Sequence, residues 1–326
     1  MVQAKTILIA ALQTLLLVLI PSDAVADEKE RLFQFGLVPP VSSNGSNSGR
    51  TVNAISVNLI GGYSAGTRIF ELGSVWNASR EFTKGLQLAG LMNWSGHSCN
   101  SIQISGAANI AASGDSPLQL AGLLNVGDNI DGLQLSALVN VAKTVKGVQI
   151  GLINYMEDGE DGVSIGLINV ARHNGKYEFE LSFSDAVNTI LSFRLGTDRF
   201  YTIFSGGVNY LFSPLEYAAG LGFGTDIKWK KRWSNQIEIQ AFGISNGKRF
   251  SDGSTDSIIQ LRLPVCKEFS RHFKLFAGPA VNLGLQNIGA DGSAGIPLAP
   301  WTMWKTRWKN LYAESWIGLS VGMRFF

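Results

Sequence analysis

A short pattern of alternating apolar and polar positions recurs along the chain between Phe70 and Ala171. A typical copy, such as Leu118 to Asn125, places a glutamine between two apolar residues and ends, after a glycine and two apolar residues, on an asparagine. The closing asparagines lie 16, 16, 16, 15, 14 and 15 residues apart and are Asn77, Asn93, Asn109, Asn125, Asn140, Asn154 and Asn169. Helix-pair repeats need about 33 residues or more. The spacing therefore predicts one strand and one turn per copy.

Within one copy, alternate residues separate into two faces, as in a β-strand. The copy from Leu133 to Ala142 has one wholly apolar face and one mixed face. The apolar set, expected to face outward, is Leu133, Leu135, Ala137, Val139 and Val141, and the mixed set is Gln134, Ser136, Leu138, Asn140 and Ala142. Polar segments such as 143–146 and 157–161 separate the copies and are typical of turns.

Alternation continues beyond the repeats, which predicts further strands up to the C-terminus. These candidates span 177–185, 188–196, 201–212, 217–229, 236–245, 257–265, 273–285 and 311–326, with two upstream candidates at 32–38 and 52–62. The seven repeats bring the total to 17, so one miscounted element gives 16 or 18. Strands of about 9 to 11 residues with one apolar face are typical of transmembrane β-barrels. We therefore predict an all-β fold: a closed antiparallel transmembrane β-barrel of roughly 16 strands, forming a single domain over residues 27–326.

Aromatic residues favour this barrel. Trp229 and Trp233 flank a basic turn, and Trp301, Trp304 and Trp308 alternate with basic residues. Aromatic girdles of this kind mark the two interfaces of a membrane barrel. Outer-membrane lipid is therefore an expected partner.

The last strand, Leu311 to Phe326, alternates throughout and ends the chain on an aromatic residue. This ending resembles that of outer-membrane barrels, whose terminal strand is read by the barrel-assembly machinery, a second expected partner. Closure in lipid requires that no strand edge stays unpaired. The terminal strand is expected to pair with the first strands of the mature chain, near Leu32 to Val38.

A β-solenoid is the alternative fold for the repeats at 70–171. Parallel stacking of the copies would align identical residues into ladders. One ladder would contain Gln87, Gln103, Gln119, Gln134 and Gln149, and the closing asparagines would form another. The later strands do not repeat, so the alternative joins such a solenoid to a smaller β-barrel.

The N-terminus has the organisation of a cleaved signal peptide. Lys5 precedes a mostly apolar run from Ile7 to Ile20, and Ala24-Val25-Ala26 forms a small-residue cleavage site. We expect cleavage after Ala26, so that residues 1–26 are removed. Export and the barrel pattern together predict the cell outer membrane as the location, with no helical span after the signal peptide.

Composition excludes several classes of function. Charged residues make up 16% of the chain, against about 25% in ordinary soluble domains. The net charge of +2 comes from scattered basic residues, so no nucleic-acid partner is expected. Two cysteines rule out a disulfide scaffold or a four-cysteine zinc site. We expect Cys99 and Cys266 to stay unpaired, although an exported chain leaves their pairing open.

Candidate chemistry is sparse. The three histidines, His97, His173 and His272, fall in expected turns or beside a strand. The acidic turn from Glu157 to Asp161 lacks the alternating ligand spacing of a calcium loop. We therefore predict no enzyme activity, no catalytic, cofactor-binding or metal-binding residue, and no cofactor.

The segment Gly147 to Asn154, Gly-Val-Gln-Ile-Gly-Leu-Ile-Asn, resembles the repeat of a poorly characterised bacterial family of repeat-containing surface or outer-membrane proteins. Segments 35–45 and 195–204 resemble the same family, so the similarity covers most of the mature chain. Two copies depart from the repeat, with Ser164 in place of glutamine and Ala137 in place of glycine. The resemblance implies a surface or outer-membrane location and brings no catalytic or ligand residues.

Three functions remain open on this basis. A passive, porin-like channel would follow from 16 or more strands, because such barrels enclose water. A surface-exposed structural or adhesive protein would use the repeats or the segment from Gln286 to Asn310. An outer-membrane lipid-modifying enzyme is the third. The solute and the oligomeric state are left open.

Overall fold

The computed structural model describes residues 29–159, 161–211, 215–245, 256–287, 301–308 and 311–326. Within these ranges the chain is almost entirely β-structure, in a mostly parallel sheet of 18 strands and an antiparallel sheet of 10. The helical structure described is one short 3₁₀ segment, Gly45–Arg50, and no helix there is long and apolar enough to cross a membrane. The signal peptide expected over 1–26 lies outside the described residues.

The first sheet contains short strands separated by tight corners. They are β1 (Lys29–Val38), β2 (Val41–Ser42), β3 (Thr51–Asn58), β4 (Gly61–Gly73), β5 (Trp76–Thr83), β6 (Leu86–Ala89), β7 (Met92–Ser95), β8 (Ser98–Cys99), β9 (Ile102–Ser105), β10 (Ala108–Ala111), β11 (Gly114–Ala121), β12 (Leu124–Val126), β13 (Asn129–Ser136), β14 (Val139–Val145), β15 (Val148–Ile150), β16 (Ile153–Asp158), β17 (Val163–Ile165) and β18 (Ile168–His173).

These strands stack as a β-solenoid of about eight turns. The glutamine strands pair in parallel with those of the next turn, and so do the asparagine strands. In the first column Gln119 is in register with Gln103 and Gln134. In the second, Asn125 is in register with Asn109 and Asn140. Identical residues of successive turns therefore lie directly above one another.

The prediction of one closed antiparallel barrel of roughly 16 strands is wrong for this chain, and the solenoid alternative is the arrangement observed for the repeats. A period of two places the same residues on the same face in parallel and antiparallel sheets. The alternation alone therefore carried no information about strand direction. The expected faces nevertheless hold for part of the copy, because Gln134 is fully buried and Leu135 is 38% exposed.

Each repeat forms two strands and a corner, where one continuous strand was expected. β13 ends at Ser136 and β14 begins at Val139. In other turns glycine occupies this corner: a Cβ on Gly122 would lie 2.1 Å from the carbonyl oxygen of Gly106. Glycine thus allows the corner to pack directly against the preceding turn.

The second sheet follows without an intervening domain linker. Its strands are β19 (Lys176–Ser184), β20 (Thr189–Gly196), β21 (Tyr201–Asn209), β22 (Glu216–Lys230), β23 (Trp233–Ser245), β24 (Asp256–Arg262), β25 (Val265–Ser270), β26 (Phe273–Asn287), β27 (Trp304–Trp308) and β28 (Leu311–Phe325). Each of the eight candidates downstream of the repeats contains a strand. The candidate at 257–265 corresponds to β24 and reaches only the first residue of β25, and neither β25 nor β27 was predicted as a strand.

Pairing in the second sheet returns to its starting strand. Neighbours in sequence pair from β19 to β23, and β23 pairs with both β24 and β25. β26 pairs with β24, β25 and β28, and β28 pairs with β19. β24 and β25 together occupy one position in the sheet, between β23 and β26. Apart from β27, the sheet then has eight strand positions, and each of them is paired with a strand on both sides. We call this set of strands the antiparallel ring.

The terminal strand does not pair with the first strands of the mature chain, so that expectation is wrong. In β28, Phe325 pairs with Phe179 of β19 and with Phe273 of β26. β1 instead lies at the far end of the solenoid, paired with β2 and β3. Two sheets therefore form, and the terminal strand completes only the second.

Candidate functional site

Alternation along the ring strands separates charged from apolar side chains. In β23, Gln236 and Glu238 are buried, whereas Ile237 and Ile239, which alternate with them, are 45% and 50% exposed. β19 follows the same rule, with Glu180 buried and Phe179 exposed. Adjacent residues of a strand point to opposite faces. The ring therefore has a polar inner side and an apolar outer side.

Three arginines and two glutamates meet on the inner side, and we call them the ion cluster. All five side chains have no exposed surface. Arg194 Nε lies 3.1 Å from Glu238 Oε1, and Arg262 Nη1 lies 3.0 Å from Glu180 Oε1. Arg262 also reaches Glu238, at 2.5 Å, and Arg324 Nε lies 2.7 Å from Glu180. Each arginine is thus shared between two carboxylates, which offsets the cost of burying charge.

Neighbouring groups complete the ion cluster. Tyr201 donates its hydroxyl proton to Glu238 Oε1 at 2.8 Å. The guanidinium carbon of Arg324 lies 4.2 Å from the centre of the Phe276 ring, within cation–π range. Arg324 also approaches Cys266 Sγ at 3.3 Å. The carboxylates are fully engaged, so the arrangement is suited to holding opposite walls of the ring together.

A second charged group lies closer to the start of β19. Lys176 Nζ is 2.7 Å from Asp226, 3.2 Å from Asp198 and 3.6 Å from Glu178. Lys274 Nζ lies 3.0 Å from the same Glu178 carboxylate. Here too each buried charge has an opposite charge within reach.

The other end of the ring interior contains an apolar cluster beside a buried hydrogen bond from Gln260 Nε2 to Asn282 Oδ1 at 2.9 Å. The buried cluster there consists of Ala186, Val187, Ile190, Ala218, Phe242, Ile244, Ile258 and Trp316. Eight strands leave an interior only wide enough for side chains to fill. The apolar cluster and the two charged groups therefore lie at successive levels along the inner side.

The solenoid interior contains a small apolar cluster and columns of buried amides. The apolar cluster consists of Ile130, Ala142, Val145, Met156 and Ala171. Asn109 Nδ2 donates to Asn125 Oδ1 at 3.0 Å, and Asn125 Nδ2 donates to Asn140 Oδ1 at 3.0 Å. The glutamines form a second ladder, in which Gln134 Nε2 donates to Gln119 Oε1 at 2.8 Å. We call these the amide ladders. An amide carries both a donor and an acceptor, so a column of identical residues satisfies itself.

The asparagines also hold the corners. Asn109 Nδ2 donates to the carbonyl oxygen of Leu120 at 2.7 Å, and Asn125 Nδ2 to that of Leu135 at the same distance. Each of these carbonyls lies just before the corner of the next turn. The closing asparagine therefore satisfies a backbone group that the corner leaves unpaired.

Glu71 ends the glutamine ladder. Its Oε2 accepts hydrogen bonds from Gln87 Nε2 at 2.8 Å and from Ser79 Oγ at 3.0 Å, with Thr67 Oγ1 at 3.3 Å. Burial raises the pKa of the Glu71 carboxyl above its usual value, and these hydrogen bonds oppose the rise only in part. Glu71 is the ionisable member of an otherwise neutral column.

The last turn of the solenoid packs against the outer side of the ring. Asn169 Nδ2 donates to Thr202 Oγ1 at 3.1 Å, and Thr202 Oγ1 donates to the Gly166 carbonyl at 2.8 Å. Arg199, in the turn between β20 and β21, donates to the Asp161 carbonyl at 2.6 Å. Thr202 points outward and is fully buried, because the solenoid covers it.

The structure does not bring the three histidines together. His97 is exposed on the solenoid and its Nδ1 lies 2.9 Å from Ser113 Oγ. His173 ends β18, and His272 Nδ1 lies 2.7 Å from the Phe326 carbonyl oxygen in the ring. In the turn at 157–161, Glu160 lies outside the described residues. Across the described part of the chain, no three histidine, cysteine or acidic side chains are placed to hold a metal ion.

The two cysteines are unpaired, as expected. Cys99 belongs to the solenoid, and Cys266 is buried inside the ring. Asn77 and Asn93 match glycosylation sequons, yet both are fully buried in the asparagine ladder. Glycan attachment at either is incompatible with this fold.

Sequence reasoning missed the ion cluster. Its signal was present in β19, where Glu178 and Glu180 alternate with Tyr177, Phe179 and Leu181. Charges at alternate positions of an apolar strand point to a polar interior. The sequence does not show which charged residues contact one another, because the five residues come from five different strands.

Comparison with family models, with curated proteins and with solved structures gave no match to this chain.

Proposed function

We propose that the antiparallel ring is a small closed β-barrel in an outer membrane, which anchors the solenoid as a surface-associated structural or adhesive element. The observation that carries the proposal is the strict alternation of buried charges and exposed apolar side chains. Burying charge and exposing isoleucine or phenylalanine is unfavourable in water. The same distribution is favourable when the outside is lipid.

The outer side is apolar over a length that fits a bilayer. Along β22, the outward residues Tyr217, Leu221, Phe223, Ile227 and Trp229 are 37% to 54% exposed. Tyr217 and Trp229 are twelve residues apart, which gives about 29 Å across the bilayer for a strand tilted by about 45°. The apolar band of outer-membrane barrels is about 25 Å tall.

Aromatic side chains gather at both ends of this band. At the end with the short turns, Trp229 and Trp233 have ring centres 6.3 Å apart, and Phe273 and Phe325 lie 5.5 Å apart. At the other end, Trp304 and Trp308 are exposed on β27, next to the start of β28. Such belts support a placement of the ring across two membrane interfaces.

A filled interior favours an anchor over a channel. The porin-like channel rested on 16 or more strands, and the ring has eight positions. The ion cluster and Trp316 are fully buried inside it. The proposed barrel therefore lacks the wide lumen that larger barrels have.

The proposal is tested with full-length protein refolded into phospholipid vesicles. We expect a folded band that shifts on boiling, co-flotation with the vesicles, and no swelling of vesicles in sugar solutions. Leu191→Arg should block insertion, because Leu191 is 61% exposed on the apolar outer side of β20 and a charge on the lipid-facing side costs up to about 2–4 kcal/mol at the bilayer midplane.

Leu211→Arg is the matched control. Leu211 is 63% exposed, but it lies beyond the end of β21, so its replacement should leave insertion intact. Equal insertion of both variants, or protein that stays in the aqueous fraction, would overturn the membrane placement. Rapid swelling of the vesicles would overturn the filled interior.

A further inference from the structure

One edge of the solenoid is apolar from end to end. It is formed by the apolar residues at the corners, and we call it the leucine edge. In most turns these are the two residues before the closing asparagine, and in the first turn they are Leu59 and Ile60. Its most exposed members are Leu59, Leu91, Leu123, Leu138, Leu152 and Ile168, with 37% to 55% of each exposed. Stacked rungs are about 4.8 Å apart, so the eight corners from Leu59 to Leu167 extend over about 34 Å.

The backbone keeps this edge continuous. The amide of Leu91 donates to the Val75 carbonyl at 2.8 Å, and that of Leu123 to the Ala107 carbonyl at 2.9 Å. Leu167 donates to the Leu152 carbonyl at 3.0 Å in the same way. Successive corners are therefore fixed in register, and their side chains form one row.

The opposite edge of the solenoid is charged. Lys143 pairs with Asp128 and Lys146 with Asp131, each at 3.9 Å, between successive turns. By contrast, the six segments from glutamine strand to closing asparagine between residues 86 and 169 contain no charged residue. The solenoid thus has a charged edge and an apolar edge on either side of an interior that contains the amide ladders.

Contacts with the ring set the direction in which each edge points. The polar edge of the last turn meets the tip of the β20–β21 hairpin, where Arg199 binds the Asp161 carbonyl. The corner at Gly166 instead meets Thr202, which lies beyond that tip along β21. Further along the same hairpin, the outward side chains are apolar and include Phe193 and Leu191. The leucine edge therefore points toward the apolar band of the ring.

We infer that the solenoid lies along the membrane surface with its leucine edge inserted among lipid acyl chains and its charged edge in water. The inference rests on the proposed membrane placement of the ring and extends it to the repeats. Lipid is the occupant that fits, because the edge is continuous in direction with the outer side of the ring. The leucine edge is also a regular row about 34 Å long, which a continuous lipid surface can cover and one side chain cannot.

The test uses spin labels on the full chain in vesicles of phosphatidylethanolamine and phosphatidylglycerol. Single cysteines replace Leu123 on the leucine edge, Lys143 on the charged edge and Leu191 on the ring, each in a Cys99→Ser background. All three sites are exposed, so the substitutions should leave folding intact, and circular dichroism checks this. Collision with oxygen reports lipid, and collision with a water-soluble nickel chelate reports water.

We expect the labels at Leu191→Cys and Leu123→Cys to favour oxygen, and the label at Lys143→Cys to favour the nickel chelate, by at least tenfold in the ratio of the two collision rates. If the Leu191 label favours oxygen but the Leu123 label favours the chelate, the inference is overturned and the anchor proposal stands. A Leu123 label immobilised and shielded from both reagents would mean that protein covers the edge, which also overturns it. A Leu191 label in water would overturn the anchor proposal itself.

Discussion

The solenoid and the antiparallel ring both bury polar groups and expose apolar ones, yet they bury different chemistry. The solenoid interior contains neutral amides, such as Gln119 and Asn125, and the ring interior contains ions, such as Arg262 and Glu238. The difference follows from strand direction and register. In the amide ladders of the solenoid most residues lie on a copy of themselves, whereas in the ring the facing residues of neighbouring strands are mostly different.

A buried column of identical residues is stable only if each side chain can form a hydrogen bond with an identical side chain. Gln134 donates to Gln119 and accepts from Gln149, whereas a column of carboxylates or guanidinium groups would repel itself. Unlike neighbours can carry opposite charges, as Arg324 and Glu180 do across β28 and β19. Sheet topology therefore decides which polar chemistry a buried surface can accept.

The largest effect should come from breaking the ion cluster. Glu238→Leu leaves Arg194, Arg262 and Arg324 around Glu180 alone, and removing one partner from a buried ionic network costs about 3–5 kcal/mol. We expect the folded form to convert to the unfolded form at a much lower temperature on a gel of unboiled samples. Glu30→Leu is the matched control, because Glu30 pairs with Arg68 at the surface, where ion pairs contribute at most about 1 kcal/mol. Similar shifts in both variants would contradict a structural role of the cluster.

The next test places charged side chains, like those inside the ring, in the interior of the solenoid. Gln119→Glu combined with Gln134→Glu places two carboxylates on adjacent buried rungs, where repulsion at about 5 Å amounts to about 3 kcal/mol at an effective dielectric constant near 20. We expect thermal unfolding of the solenoid, followed by circular dichroism in detergent, to occur at lower temperature at pH 7. Protonation lets a carboxyl group donate and accept like an amide, so acid should restore much of the loss.

Lys143→Glu is the control for that pair. It places a carboxylate beside Asp128 on adjacent rungs of the charged edge, where water screens the repulsion. Its effect should be within about 1 kcal/mol. A comparable loss in the control would mean that repulsion between rungs, and not burial, limits the interior to amides.

The smallest effect should come from Glu71, the one carboxyl group in the glutamine column. Because burial raises its pKa above 4.5, its protonated form is favoured by folding. The stabilisation of the folded protein by the protonated Glu71 carboxyl is complete below the pKa that this group has in the unfolded chain. It is lost as the pH rises through the pKa of the group in the folded protein. Glu71→Gln should extend the glutamine ladder by one amide and raise the unfolding temperature at neutral pH. It should also remove the contribution of Glu71 to the pH dependence of stability.

Thermal unfolding at neutral and acidic pH measures the Glu71 effect. Glu30→Gln removes a surface carboxylate instead and should leave the contribution of Glu71 in place. A Glu71→Gln variant that is less stable at neutral pH would show that the charged form, with its three hydrogen bonds, is the favoured state.

The sequence allowed a good prediction of where most of the ring strands lie, although it missed the charged residues that face inward. Every downstream candidate strand from Tyr177 onward is observed, because alternation is a local property. β25 was missed, and the candidate at 257–265 ran through Pro264, although proline cannot donate to a strand ladder. The partner of the last strand was also wrong, since β28 reaches β19 across more than 130 residues and no local pattern encodes that pairing.

The sequence by itself determined the period, the faces and the polar interior of the repeats, since these depend only on the order of residues such as Gln134 and Leu135. Tertiary structure alone decided that the repeats stack in parallel, that five distant residues form the ion cluster, and that Thr202 lies beneath Asn169. Strand direction and long-range pairing depend on which backbone hydrogen bonds close between segments. The same alternating sequence satisfies its local preferences in either direction.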